Sequence, residues 1–246
     1  MRGPSLAPPV IRRALASSST NSWSETLHDL GDLDDAGDIT LPDIGNPRDA
    51  IEDAAAAVIR SGRRPLSLGG DHSVTYPLLR AVHAAHPGLT ILHIDAHADL
   101  YDEFEGDRYS HACPFARIME ERLAGRLVQV GIRSLTRHHV DQASRFGVDV
   151  IDMRAWSAGQ RPQVDGEVYL SVDMDALDPS HAPGVSHWEP GGLTTREVVG
   201  IIQSVGGRLV GADLVEYNPE RDPSGFTAMV AAKLVKEIAG RMLEDE

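Results

Sequence analysis

A single cysteine, Cys113, in 246 residues rules out an intrachain disulfide and fits a reducing compartment such as the cytoplasm. No stretch reaches the ~18 continuous apolar residues that a membrane span requires. The opening MRGPSLAPPVIRRAL has none of the apolar h-region of a secretory signal. Basic residues are outnumbered, 23 Lys and Arg against 37 Asp and Glu, for a net charge of −14, which counts against nucleic acid as a partner. The acid excess favours metal ions or cationic substrates only weakly, because most such surfaces serve solubility. The hydrophobic fraction of 41% and charged fraction of 24% are ordinary for a globular chain. With no repeat, linker or low-complexity break, the length suits one domain spanning 1–246.

Residues 1–24, rich in Pro and Ser, read as a surface wrap. Residues 25–43, with Glu25, Asp29, Asp32, Asp34, Asp35, Asp38 and Asp43, read as a solvated acidic loop. A regular alternation follows. Asn46-Pro47 supplies an N-cap and a proline at the first helical position, and Asp49, Glu52 and Asp53 suit the positive end of that helix, which stops at Gly62. Apolar runs at 65–68, 89–95, 126–132, 148–153, 167–175 and 207–216 predict strands. Helices are expected near 74–86, 114–124, 136–146, from about Thr195, and over 225–243. Apolar strands separated by helices predict an α/β, three-layer α-β-α sandwich with a mainly parallel sheet.

Four segments carry the chemistry: Gly69-Gly70-Asp71-His72-Ser73, Asp95-Ala96-His97-Ala98-Asp99, Asp173-Met174-Asp175 and Asp213-Leu214-Val215-Glu216. Each follows a predicted strand, at the sheet edge where ligands of parallel sheets bind. In extended chain, residues two apart share a side, which predicts that Asp95, His97 and Asp99 face one way, and Asp173 and Asp175 likewise. Buried carboxylates are costly without partners, so clustering them at strand ends calls for cations. The charges of Asp95, Asp99, Asp173 and Asp175 balance two divalent ions, with His72 and His97 as neutral nitrogen ligands. Oxygen-rich ligands with some imidazole favour Mn²⁺, although other first-row metals fit the same donors. His93 is expected to pack in the core, and Asp71 and Asp178 to orient ligands or cap helices.

GGDHS (69–73), DAHADLYDEFEG (95–106), YSHACPFARIMEE (109–121), SVDMDALDPSHAPGVSHWEPGGL (171–193), GADLVEYNPERD (211–222) and TAMVAAKLVKEIAG (227–240) together resemble the ureohydrolases, the arginase and agmatinase family. The stretch from Asp95 to Glu121, with VSHWEPGGL, looks most like the branch of plant arginases and bacterial agmatinases. The resemblance implies an arginase-type sandwich with two Mn²⁺ per chain. It implies that His72 and Asp99 bind one ion, His97 and Asp175 the other, and that Asp95 and Asp173 bridge them. It further implies that His111 moves protons, that Glu216 grips the guanidinium, and that the chain assembles as a homo-oligomer, a trimer or hexamer. GPSLAPPVIRRAL (3–15) resembles a family segment that follows an opening strand, so that strand is expected to be missing.

The expected reaction splits a small cationic guanidino substrate into urea and an amine, with Asp99, His111 and Glu216 as the catalytic groups. The loops Leu100–Ser110 and Val185–Pro190 are expected to form the pocket mouth. The acids Asp102, Glu103, Glu105 and Asp107 in the first favour agmatine over arginine or another guanidino acid. Two rival readings are a metal-binding scaffold without activity and a zinc deacetylase, which holds one catalytic metal.

Overall fold

The computed structural model describes residues 3–42 and 45–244. Asp43 of the acidic run lies outside the described residues. Among the described residues six strands form one sheet: β1 (Leu66–Leu68), β2 (Thr90–Ile94), β3 (Arg126–Ile132), β4 (Asp149–Asp152), β5 (Glu167–Asp173) and β6 (Arg208–Val215). Their spatial order is β1-β6-β5-β2-β3-β4, and every pair is parallel. Among the described residues the first strand is β1, at one edge of the sheet and only partly covered.

The apolar runs predicted as strands are strands because both faces are covered. Along β2, Ile91 belongs to the core under α2 (Pro47–Arg60), α3 (Thr75–Ala85), α4 (Pro114–Glu120) and α5 (Arg137–Phe146). Its neighbours Leu92 and Ile94 belong to the opposite core, under α1 (Ala7–Leu15), α7 (Thr195–Gln203) and α8 (Phe226–Leu243). Period-two alternation therefore serves two apolar layers at once. A short α6 (Met153–Ser157), absent from the expected series, is capped by Asp152, whose side chain accepts from the Ala155 N–H.

The Pro- and Ser-rich opening is a correction. Residues 7–15 form α1, with Ala7, Ile11 and Ala14 buried at helical spacing in the core that also holds α8. Pro8 and Pro9 fall in the first turn, where a missing N–H costs nothing, so a pair of prolines that reads as loop sits inside a helix. Burying Ile11 contributes about 1.5–3 kcal/mol. Glu25, Asp34, Asp35 and Asp38 are exposed as expected and Asp29 only in part. The four exposed acids are paired, Glu25 with Arg196 and Lys233, Asp34 with Arg63, and Asp35 and Asp38 with Arg12 of α1 at 2.8 and 2.5 Å. Among the described residues no helix is long and apolar enough to cross a membrane.

Candidate metal centre

The expected segments meet at the carboxyl ends of the four adjacent strands β1, β6, β5 and β2. The turn after β1 is drawn against the end of β6 by two hydrogen bonds, Gly69 N to Leu214 O and Glu216 N to Gly70 O, each 2.9 Å. A Cβ on Gly69 would lie 2.6 Å from Val215 Cγ1, so this approach requires glycine. The chain then turns at Asp71, which accepts from the Ser73 N–H and caps a 3-10 turn bearing His72.

The six expected ligands come together, but not by the pleat. Beyond Ile94 the chain leaves the strand, and Asp99 adopts a left-handed backbone with φ of 49°. After Asp173 a 3-10 turn begins, because its carboxylate accepts from the Asp175 N–H at 2.7 Å. Turns, rather than a shared strand face, aim Asp95, His97, Asp99, Asp173 and Asp175 inward. Glu216 also has a positive φ, 64°. Left-handed conformations of non-glycine residues cost roughly 1–3 kcal/mol and cluster at functional sites.

His72 is fully buried, and hydrogen bonding fixes its tautomer. Asp213 Oδ2 accepts from the Thr75 and Tyr169 hydroxyls at 2.9 and 2.8 Å, and Asp213 Oδ1 accepts from Ser171 Oγ at 2.6 Å. Ser171, having donated its proton, accepts from His72 Nε2 at 3.0 Å. The proton on Nε2 leaves a lone pair on Nδ1. That nitrogen is buried without a hydrogen bond, and oxygens of Asp99, Asp95 and Asp173 lie 3.1, 3.2 and 3.3 Å away. Burial opposes charge on His72, but Asp173, Asp95 and Asp99 raise its pKa well above the ordinary value. Without an ion Nδ1 therefore takes up a proton, and a cation in that proton's place suits the same donor set.

A second cluster lies beside the first. His97 Nδ1 is 3.1 Å from Asp175 Oδ2 and 3.5 Å from Asp95 Oδ1. Asp95 thus turns Oδ2 to His72 and Oδ1 to His97, one carboxylate divided between two clusters. The donor atoms of Asp95, His97 and Asp175 all lie within 4.8 Å of one another, as do those of His72, His93 and Asp95. His93 is placed to orient Asp95 rather than to bind an ion. Its Nε2 contacts Asp95 Oδ2 at 2.7 Å, and its Nδ1 accepts from Gln129 Nε2 at 3.0 Å. It is also packed as expected, 3.9 Å between ring centroids from Phe115. Asp178 pins a loop by accepting from the N–H groups of Ser180, Gly191 and Gly192.

The protein's own charges do not balance here. Burial, and then the neighbouring carboxylates, hold Asp173 and Asp175 above the ordinary range and push Asp99 up to about 6. Burial opposes charge on His97, but Asp175 and Asp95 push it up to about 12. Burial, then Asp71 and Asp175, push Glu216 up to about 8. A group whose folded pKa exceeds its unfolded value stabilises fully below the unfolded value, and that stability is lost as pH rises through the folded one. For Asp99 the window runs from 3.8 to about 6, and for Glu216 from 4.5 to about 8. Metal-stripped protein is therefore expected to melt at least about 5 °C lower at pH 8 than at pH 5, with Mn²⁺ shrinking the difference. Thermal scans of stripped and loaded samples check this; a stripped protein that melts higher at pH 8 contradicts it.

Glu216 lies beside these clusters, its Oε1 accepting from the His72 N–H at 3.0 Å. It lines a narrow cleft with Asp71, His111, Ser186 and His187. His111 is therefore at the site, and the expected mouth loop 185–190 contributes to it. The acids of the other mouth loop do not. Asp102 faces Arg117 and Gln142 at 3.4 and 3.0 Å, and Asp107 accepts from the Tyr109 N–H in its own turn. Glu103 and Glu105 are exposed. A larger hollow by α2 and α3 has its cations engaged, Arg80 with Glu52 at 2.8 Å and Arg48 over the Tyr109 ring at 4.3 Å.

Sequence reading gave no role to Ser171, Asp213, Gln129 or His187. Asp213 had a signal, a charged residue inside the apolar run RLVGADLV. Ser171 and His187 stood in the stretch 171–193, and His187 in the expected mouth loop, but a Ser or His alone states nothing about its partner, and Gln129 had no signal.

Fold and site together define an α/β protein whose strand ends carry two adjoining carboxylate–imidazole clusters able to hold cations. A sequence model of the arginase family matches residues 1–240. "Arginase 1, mitochondrial" of Arabidopsis thaliana is 47% identical over 263 residues, covering 98% of this chain and 77% of that protein. The agmatinase of Bacillus anthracis is 36% identical over 213 residues, covering 83% of this chain and 73% of that one. Among solved structures, an arginase from Medicago truncatula superposes with a TM-score of 0.89 at 44% identity, covering 98% of this chain and 82% of that chain. The chain belongs to the arginase family, binuclear metal-dependent hydrolases that act on guanidino compounds.

Proposed function

We propose that this protein hydrolyses agmatine to putrescine and urea with two Mn²⁺ ions. The observation that carries the two-ion reading is Asp95, whose oxygens are divided between the His72 and His97 clusters. His72 and Asp99 would hold one ion and His97 and Asp175 the other, with Asp95 and Asp173 shared. Two bound cations supply an activated water at neutral pH and balance the carboxylates.

The chain's own residues do the rest. Glu216 presents a buried carboxylate to the planar fork of a guanidinium, fixing its carbon against the clusters. The substrate's charge in turn favours the ionised form that burial opposes at Glu216. Asp99, at the end of the His72 cluster, would take a proton from the attacking water and return it to the departing amine. His111, half-buried at the cleft, carries protons between solvent and site. The scissile C–N bond breaks, its carbon leaves as urea, and the amine leaves protonated.

The choice of agmatine rests on the cleft lining, where the charged side chains, Asp71 and Glu216, are both acidic and offer nothing to a substrate carboxylate. One observation favours arginine as a second reading: the relative at 47% identity is named an arginase, and the agmatinase stands at 36%. Urea release from arginine, agmatine and guanidinobutyrate, with Mn²⁺ added, decides between them. Agmatine is expected to give the highest kcat/KM. Release only from arginine replaces the substrate, release from none with the protein folded and metallated supports a scaffold, and one metal per chain supports the deacetylase reading.

A further inference from the structure

His187 is an imidazole for which the reaction above has no use. It stands at the cleft beside Glu216, its ring parallel to that of His111 within 14° at a centroid separation of 5.7 Å. The other ring against His111 is Phe104, edge-on at 5.7 Å, and no hydrogen bond to the His111 ring occurs among the described residues. The proton-carrying ring is therefore held by ring contacts. Parallel offset and edge-to-face pairs at these separations are attractive and set orientation.

The two loops are anchored to different elements. On the His187 side, Ser186 Oγ accepts from Asn218 Nδ2 at 3.0 Å, and Ser186 O accepts from Arg221 Nη1 at 2.8 Å. Beyond His187, Trp188 donates to Pro183 O at 2.8 Å and lies under the Arg221 guanidinium at 5.2 Å. Val185 bridges to Tyr217. His187 thus stands between residues anchored to the chain that leaves β6, the strand that also carries Glu216 to the site. The His111 loop is tied elsewhere, Ala112 O accepting from the Tyr101 N–H at 3.1 Å and the Tyr109 ring lying under the Arg48 guanidinium at 4.3 Å.

We propose that His187 is a positioning residue that holds the His111 ring in register with the site, through its ring face and not through a hydrogen bond. The proposal rests on the reading that His111 moves protons. It ties that group to Glu216 by one rigid segment, so that the substrate's grip and the proton carrier keep a fixed relation. Positioning errors of about 1 Å can cost on the order of a hundredfold in rate.

The test uses Mn²⁺-loaded protein and four variants, with metal content and melting temperature measured for each. His187→Ala is expected to lower kcat by about ten- to a hundredfold with KM within about threefold and metal content unchanged. His187→Phe, which keeps a ring without nitrogens, is expected to recover most of that loss. In His111→Ala background, adding His187→Ala is expected to cost nothing more, since the residue acts through His111. Equal losses in the Ala and Phe variants, a rise in KM alone, loss of metal, or an additive double variant each overturn the proposal. Nuclear relaxation of the His111 Cε1–H reads the same point without turnover. The ring is expected to gain fast motion in His187→Ala and lose it again in His187→Phe, and no change overturns the proposal even if no substrate yields urea. Full activity of His111→Ala alone would instead sink the proton-carrier role, a separate failure.

Discussion

Asp95→Asn is expected to leave at most one Mn²⁺ per chain and to lower urea release by at least about a thousandfold. Asp95 is the residue both clusters share, 3.2 Å from His72 Nδ1 and 3.5 Å from His97 Nδ1. Its charge is secured from several sides. Burial raises its proton affinity, but His93, His72 and His97 overcome this and hold the carboxyl well below the usual range. Asparagine keeps the shape, and with it an oxygen able to accept from the His97 N–H, a bond of 2.6 Å in the native chain. The charge is lost, and so is the oxygen facing His93 Nε2 at 2.7 Å, where the amide nitrogen would stand. Because His93, His72 and His97 stabilise the carboxylate even without cations, the metal-free variant is expected to melt below metal-free native protein. The gap should widen on adding Mn²⁺, which stabilises the native chain far more than the variant. Metal analysis after gel filtration, alongside melting with and without Mn²⁺, separates loss of an ion from misfolding. Two ions and native activity in Asp95→Asn would remove the basis for a shared ligand.

Glu216→Gln is expected to act on the substrate rather than the metals. Truncating one partner of a buried, hydrogen-bonded charge pair costs about 3–5 kcal/mol, or roughly two to four powers of ten in kcat/KM. Glutamine keeps an oxygen for the His72 N–H, which Glu216 accepts at 3.0 Å, so the turn bearing His72 should hold its place. What it cannot offer is a charged two-oxygen face to a guanidinium. The expected result is a large rise in KM with metal content unchanged. If the variant loses an ion, Glu216 belongs among the metal ligands; if kcat and KM stay at native values, it has no part in binding the substrate.

Much of the fold was legible because its signals are local. RLVQVGI was expected as a strand over 126–132 and is β3 with those bounds. Asn46-Pro47 was expected to start a helix, and Asn46 caps α2 by accepting from the Arg48 N–H. Misreadings arose where the same residues fit two local structures. Pro8-Pro9 is as compatible with a first helical turn as with a loop, and only the core shared with α8 selects the helix. The same holds for the Asp-x-His-x-Asp stretch. Its residues converge as expected, but through turns and the left-handed Asp99, because the strand ends at Ile94.

Substrate choice shows the limit of reading charge from a loop. Asp102, Glu103, Glu105 and Asp107 form a run of acids, yet Asp102 is held by Arg117 of α4 and Gln142 of α5. The acid that lines the cleft beside Glu216 is instead Asp71, expected from the sequence to orient ligands or cap a helix, and it does cap the 3-10 turn at His72.

The sequence by itself determined which donors are available and that each follows a strand. Residue type and chain-local pattern depend on neighbours a few positions away. Only the tertiary structure decided how those donors face one another. The sheet order places β6 and β5 between β1 and β2, so Ser171 meets His72 across 99 residues of chain and Asp213, which holds Ser171, meets Thr75 across 138. That contact chooses the imidazole nitrogen left open to a cation. The parallel rings of His111 and His187 have the same origin: two loops meet where the strands end, and no spacing within either one records it.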